Sequence, residues 1–135
     1  MRKITISRQD QARIQEKIRG ISAKWGLTQH IEKLQGAIKR ARILEPHLIP
    51  SDVVTLNTIV TVKFLTTGKE FTFRLVYPED ANTRLERVSI FSPIGVALLG
   101  HQTGDTILWD APGGKMKIQV KDIIFQPEKE GAFQL

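Results

Sequence analysis

Val88-Ser89-Ile90-Phe91-Ser92-Pro93-Ile94-Gly95-Val96-Ala97-Leu98-Leu99-Gly100-His101-Gln102-Thr103-Gly104-Asp105-Thr106-Ile107 is the stretch whose reading decides the fold. Val88 to Phe91 reads as a short strand. Ser92 offers a side-chain oxygen to cap a helix, and Pro93 suits the first turn, where a missing N–H costs nothing. Ile94, Ala97 and Leu98 fall at helical spacing on one face. Gly100 stands where a helix end favours a residue tolerant of the left-handed conformation. Gly104-Asp105 is a turn signal, and Thr106 to Trp109 reads as the next strand. The stretch is one strand–helix–strand cassette.

On its N-terminal side the pattern is one of strands. Ile59 to Leu65 alternates around Val60, Val62 and Phe64. Phe71 to Tyr77 alternates again, with Phe73, Leu75 and Tyr77 on one face. Thr66-Thr67-Gly68-Lys69 joins the two as a hairpin. Pro78 to Arg84 is a polar loop. After the cassette, Pro112-Gly113-Gly114-Lys115 turns the chain into a last strand, Met116 to Phe125. The expected unit is a mainly antiparallel sheet of about five strands with one packed helix.

The front third is helical. Ser7 caps a helix in which Asp10 suits the first turn. Ile14, Ile18, Ile21 and Trp25 follow at intervals of four, three and four, a heptad seam. Gly26 is a natural stop, and Gly20 costs about 1 kcal/mol relative to alanine, so the first helix is expected to fray or end near it. Thr28 caps a second helix with the seam Leu27, Ile31, Leu34, Ile38 and Ala41, which Pro46 ends. His47 to Pro50 is a linker. Two matching seams and a short connection predict an antiparallel coiled-coil hairpin, each arm roughly 20–25 Å long, leaning on the second unit. The fold class is therefore α+β, with residues 1–46 as the N-terminal helical hairpin and 47–135 as the C-terminal unit.

The chain has 135 residues, 41% hydrophobic and 25% charged, as in ordinary soluble proteins. No run of about 18 apolar residues exists, so no membrane span is expected. Met1 to Ile6 lacks the apolar core of a secretory signal. There is no cysteine, which removes disulfides and thiolate metal sites and fits a cytoplasmic protein. The net charge is +6, unevenly placed. Residues 1–46 hold 11 Lys and Arg against 4 Asp and Glu, while residues 47–135 hold 9 against 10. A basic face of Arg13, Lys17, Arg19, Lys33, Lys39 and Arg40 would attract nucleic acid or an acidic protein surface, and salt would weaken the attraction. The plainer reading is a solvated helical surface.

No catalytic constellation stands out. His30, His47 and His101 lie far apart, and none has a carboxylate or second histidine at ligand spacing, so no metal or cofactor is expected. Gly113-Gly114-Lys115 lacks the spacing of a phosphate loop and reads as a turn. Asp105 and Asp110 read as turn residues beside a strand, Trp109 and Tyr77 as core or interface. Lys24 and Trp25 occupy the expected hairpin tip. There Trp25 either completes the seam or stands out as an anchor for a partner.

The cassette resembles the C-terminal domain of the bacterial GreA/GreB transcript-cleavage factor family, whose pattern runs close to I-S-x-x-S-P-x-A-x-x-L-I-G, then G-D and a P-x-G turn. Here stand Ser92-Pro93-Ile94, Ala97-Leu98-Leu99-Gly100, Gly104-Asp105 and Ala111-Pro112-Gly113-Gly114. Ser51-Asp52-Val53-Val54-Thr55-Leu56-Asn57, Leu75-Val76-Tyr77-Pro78 and Phe125-Gln126-Pro127-Glu128 look more like the small Rnk-type branch of the family, as does the short front end. The resemblance covers roughly residues 40–135 well and the front third in outline.

What it implies is specific. The C-terminal unit would be FKBP-like. The partner would be RNA polymerase, gripped at the rim of its secondary channel by Ser92, Pro93 and Ile94, with nucleic acid of the transcription complex within reach. Ser92-Pro93 also reads as nothing more than a helix cap. Where Gre factors often carry Ala-Arg, this chain has Gly95-Val96. Acidic residues at a Gre hairpin tip help hold a catalytic magnesium, a hard dication that needs carboxylate oxygens. Residues 20–30 contain no Asp or Glu here. Glu16 and Glu32 lie one to two turns down the shafts, and Lys24 would repel the metal. The expectation is a cytoplasmic, non-enzymatic regulator that binds the channel and competes with Gre factors without stimulating cleavage, with no membrane and no small-molecule substrate. The rivals are an active cleavage factor using Glu16 or Glu32 and a basic nucleic-acid-binding module. Prolyl isomerisation is suggested by fold analogy alone, and fold alone does not give function.

Overall fold

The computed structural model describes the backbone of residues 4–25, 29–111 and 113–131, with the side chains of 22–25, 30, 110 and 111 excepted. The element order is β1 (Thr5–Ser7), α1 (Arg8–Trp25), α2 (Gln29–Arg40), β2 (Arg42–Leu44), β3 (Ile59–Phe64), β4 (Glu70–Val76), β5 (Arg87–Ser89), α3 (Pro93–Leu98), β6 (Thr106–Ala111) and β7 (Gly114–Phe125). The class is mixed α+β.

Five strands form one sheet in the order β5-β4-β3-β7-β6. The alternation in β3 and β4 buries Val60, Val62, Phe73 and Leu75 on one face. Gly68 supplies the positive φ of 75° that the β3–β4 turn needs. β3, β4, β6 and β7 pair antiparallel, but β5 runs parallel to β4, which corrects the expected antiparallel character at that edge. The reason is the connection: Pro78 to Leu85 makes two 3-10 turns and returns the chain to the level of Arg74, so that β5 runs alongside the last three residues of β4.

The front third departs from expectation in two places. α1 runs past Gly20 to Trp25, and a Cβ at position 20 would meet nothing within 4 Å, so glycine there is a propensity cost and not a packing need. α2 ends at Arg40 rather than at Pro46, because the chain goes extended as β2 and pairs parallel with β1, Ile6 opposite Ile43. Three residues are too short for a strand signal in the sequence. His47 lies in a 3-10 turn, Pro46–Leu48, within the expected linker.

Both helical seams enter the sheet's core. Ile14, Ile18, Ile31, Leu34 and Ile38 are buried in one cluster with Val60, Leu75, Ile90, Leu98, Ile118 and Val120. Ser7 caps α1, its Oγ accepting the Asp10 N–H at 3.0 Å. β1 is fastened to the cassette: the Thr5 N–H donates to Gly100 O at 3.0 Å. Gly100 has φ +82°, and a Cβ there would lie 2.5 Å from Ile4 Cβ, so both conformation and close approach require glycine.

Candidate functional site

The corner between β5 and α3 is built by two serines. Ser92 Oγ accepts the Gly95 N–H at 3.1 Å, as an N-cap should, and donates to Ser89 O at 2.7 Å. The Phe91 N–H donates to Ser89 Oγ at 3.0 Å, and the Ile90 N–H to Val76 O at 2.8 Å. Pro93 opens the six-residue α3. Ser92, Pro93 and Ile94 are each half-buried, presented on a support tied to β4. Within α3 the fully buried positions are Gly95 and Leu98, so the face sinks deepest at Gly95, with Ile94 and Ala97 at its flanks.

Beside this corner runs a groove of about 1040 Å³ between α2, α3 and β6. Pro93, Val96 and Ala97 form its floor, and Gly36 and Ala37 leave room on the α2 wall. Glu32, Lys33 and Arg40 line the same wall. His101 and Asp105 sit at its foot, His101 Nδ1 3.5 Å from Asp105 Oδ2. This corrects the expectation that no histidine has a carboxylate at ligand spacing: residues 101 and 105 are four apart, and the turn before β6 folds them together. Asp105 is nonetheless a turn residue, accepting the Gln102 N–H at 2.9 Å. Among the described residues no group of three His, Cys, Asp or Glu could hold a metal ion. The side chain of Asp110 lies outside the description, as does that of His30.

The six basic candidates divide into two sets. Arg19, Lys33, Lys39 and Arg40 are exposed. Lys17 and Arg13 turn toward the sheet unit. Lys17 pairs with Glu79 and sits 5.2 Å above the Tyr77 ring, and its hydrogen bond holds the Glu79 carboxyl below the usual range. Arg13 acts on Asp10 and on the Tyr77 hydroxyl. Lys24 and Trp25 have their backbone in α1, but their side chains, like residues 26–28, lie outside the description. Glu16 and Glu32 are both exposed.

Sequence reasoning missed a polar cluster at the base of α1. Asp10 is 3% exposed. Its Oδ2 accepts the Leu56 N–H at 3.4 Å. Burial, then repulsion from Glu128, raises its carboxyl to about 7, against the lowering pull of Leu56, Arg13 and Ser7. Glu128 accepts from Thr55 Oγ1 at 2.7 Å, and Thr55 Oγ1 lies 2.8 Å from Thr58 Oγ1. Burial is also the first cause that pushes the Tyr77 hydroxyl up. The only signal in the sequence was an Asp in a first helical turn, which reads as an ordinary exposed cap.

A family model described as "Transcription elongation factor, GreA/GreB, C-term" matches residues 49–125. The chain is similar to the regulator of nucleoside diphosphate kinase of Escherichia coli, 38% identical over 108 residues and covering 77% of each chain. It is 37% identical over 93 residues to transcription elongation factor GreA of Thermotoga neapolitana, 69% of this chain and 59% of that one. Among solved structures it is similar to "Prokaryotic transcription elongation factor GreA/GreB from Nitrosomonas europaea", at TM-score 0.77 and 33% identity over 93% of this chain and 100% of that chain. These relatives are named as regulators or elongation factors. Among the described residues no helix is long and apolar enough to cross a membrane.

Proposed function

The chain belongs to the GreA/GreB transcription elongation factor family, and we propose that within it this protein binds the secondary channel of RNA polymerase and competes with Gre factors without stimulating transcript cleavage. Residues 47–135 form an FKBP-like docking unit whose Ser92-Pro93-Ile94 corner meets the channel rim. Residues 1–46 form the helical probe, led by Lys24 and Trp25, that occupies the entrance. The protein is cytoplasmic and is not an enzyme.

One observation carries the reading: residues 20–30, the leading part of the probe, contain no carboxylate. Cleavage chemistry of this family needs acidic oxygens to hold a magnesium ion and activate water. The nearest acids do not substitute. Glu16 lies nine residues before Trp25, about 13 Å back along the shaft at helical rise. Glu32 lines the groove that faces β6. A probe without leading carboxylates fills space and excludes a competitor. The corner supports docking, since its four short hydrogen bonds hold Ser92 and Pro93 at the surface without help from a partner.

The test is a pair of assays on purified polymerase. Competition with a GreA-type factor for core enzyme is expected, together with unchanged transcript length in stalled elongation complexes. Absence of competition defeats the proposal, and shortened transcripts would give the site to Glu16 or Glu32. A nucleic-acid-binding reading is favoured by the exposure of Arg19, Lys33, Lys39 and Arg40. Salt-sensitive binding to bare duplex in the absence of polymerase would support that one instead.

A further inference from the structure

We propose that the outer edge of β6 accepts an extended, acidic segment of a partner polypeptide as an additional strand. The proposal is independent of the polymerase reading and concerns the edge, not the Ser92-Pro93 corner.

The hydrogen-bond phase of the sheet shows which groups the edge offers. The Val120 N–H donates to Asp105 O at 3.0 Å, and Val120 O accepts the Gly104 N–H at 2.8 Å, so Val120 turns both groups toward β6. With a period of two, Ile118 and Met116 do the same. Lys117 O goes the other way, to the Leu65 N–H at 3.1 Å. The partners of Ile118 and Met116 are Ile107 and Trp109, which therefore bond inward. Thr106, Leu108 and Asp110 consequently turn their N–H and C=O outward. Among the described residues no strand lies beyond β6.

The groove confirms that this edge is accessible. It is lined by every residue from Gly104 to Trp109. Successive strand residues point to opposite faces, so a cavity touching all of them touches the edge of the strand. The volume of about 1040 Å³ admits an extended segment along the roughly 20 Å of the edge. The two sheet edges are also protected unequally. β5 is three residues long and bridged by Asn82 to the loop before it. β6 has six residues, and within it stand no Pro and no Lys, the usual guards of an edge. Leu108 is 56% exposed on it.

Charge names the occupant. Lys33 and Arg40 stand seven residues apart on one stripe of the α2 wall. Lys117, exposed, lies cross-strand from Leu108. Against these three cations stand two acids of the groove, Glu32 on α2 and Asp105, which accepts the Gln102 N–H and lies 3.5 Å from His101 Nδ1. A strand whose alternate side chains are carboxylates pairs with the open backbone groups and complements the positive excess of these side chains.

The experiment uses the full chain and three synthetic ten-residue peptides. One alternates Val with Glu, one alternates Val with Lys, and one is the Glu peptide N-methylated at every second amide. The readout is amide hydrogen exchange by NMR. The Glu peptide is expected to slow exchange at Thr106, Leu108 and Asp110 by ~10-fold or more, with Ile107 and Trp109 unchanged. The Lys peptide and the methylated peptide are expected to give no protection. Binding without protection at those three amides overturns the proposal, as does equal binding of the Lys peptide. Protection that grows with protein concentration alone assigns the edge to a second copy of this chain and also overturns it. Leu108→Pro removes one outward donor and should weaken the Glu peptide; the methylated peptide makes the same point without altering the fold.

Discussion

Gly95 faces the backbone carbonyl of Ser89 so closely that a methyl group on its α-carbon would lie 2.2 Å from that oxygen and 2.8 Å from Ile90 Cα. Both contacts are backbone, so neither yields by a rotamer change. Gly95→Ala should therefore move α3 off the sheet and cost about 2–3 kcal/mol, at the upper end of overpacking effects. Thermal unfolding followed by circular dichroism should show a midpoint lower by roughly 8 °C or more. An unchanged midpoint would mean that α3 sits farther from β5 than described. The glycine at position 95 of this chain then has a packing cause.

Asp10 makes the fold sensitive to pH near neutrality. Its carboxyl titrates at about 7 in the folded chain against an ordinary 3.8. Between those values the folded state keeps a proton that the unfolded state has released, so the contribution is largest below pH 4 and fades as pH rises toward 7. The slope approaches ~1.4 kcal/mol per pH unit inside that window. Urea unfolding of Asp10→Asn should show a flatter dependence between pH 4 and 7. The variant should also be the more stable protein at pH 8, where the native carboxylate is charged and buried beside Glu128. A parallel pH profile for both chains would remove Asp10 from the account.

How much of this was legible beforehand follows from the range of each signal. The strand alternation around Val60 and Phe73, the Ser7 and Ser92 caps and the Gly68, Gly100 and Gly104 turns are local patterns, and local patterns survive folding. The parallel β1–β2 pair joins residues 37 apart through three-residue strands, a length at which no periodicity exists. The burial of Asp10 depends on Leu56 and Glu128, and the groove depends on α2 lying beside β6. None of these leaves a trace in spacing. The candidate corner was readable for the same reason the caps were: Ser92, Pro93 and Gly100 are each fixed by backbone chemistry within a few residues. Lys17 looked like part of a basic face because helical spacing gives an exposed stripe and says nothing of Glu79, 62 residues away.

Ser92 holds the corner through two bonds, accepting from Gly95 and donating to Ser89. Ser92→Ala removes the cap and leaves the Ser89 carbonyl to the Ser92 N–H alone. The expected loss is about 1–2 kcal/mol of stability. Ser92→Asp restores the acceptor but not the donor, so it should recover only part of that loss. Denaturant midpoints of the three chains decide this, and a full recovery by Asp would show that the bond to Ser89 contributes nothing.

Leu34 of α2 is 0% exposed and belongs to the same core as the sheet residues. Leu34→Ala should cost about 2–5 kcal/mol and lower the stability of the whole described fold, not of the helices alone. Far-ultraviolet circular dichroism reports the helices, and hydrogen exchange at Val60 and Val120 reports the sheet. Both should shift to the same new midpoint. Two separated transitions would mean that residues 1–46 unfold by themselves.

Trp109 brings a different balance. Its ring stacks on Phe64, with centroids 5.8 Å apart, while its buried Nε1 has no hydrogen-bond partner among the described residues. An unsatisfied buried donor costs about 1–3 kcal/mol, and the smaller ring of phenylalanine forfeits a comparable amount of apolar burial. The two terms oppose each other, so Trp109→Phe should change stability by less than about 1 kcal/mol while keeping the stack. The substitution also leaves Trp25 as the sole tryptophan, which turns fluorescence into a probe of the helical end of the chain. A loss above about 2 kcal/mol would show that Nε1 does find an acceptor, and the groove beside it would be the place to look for one.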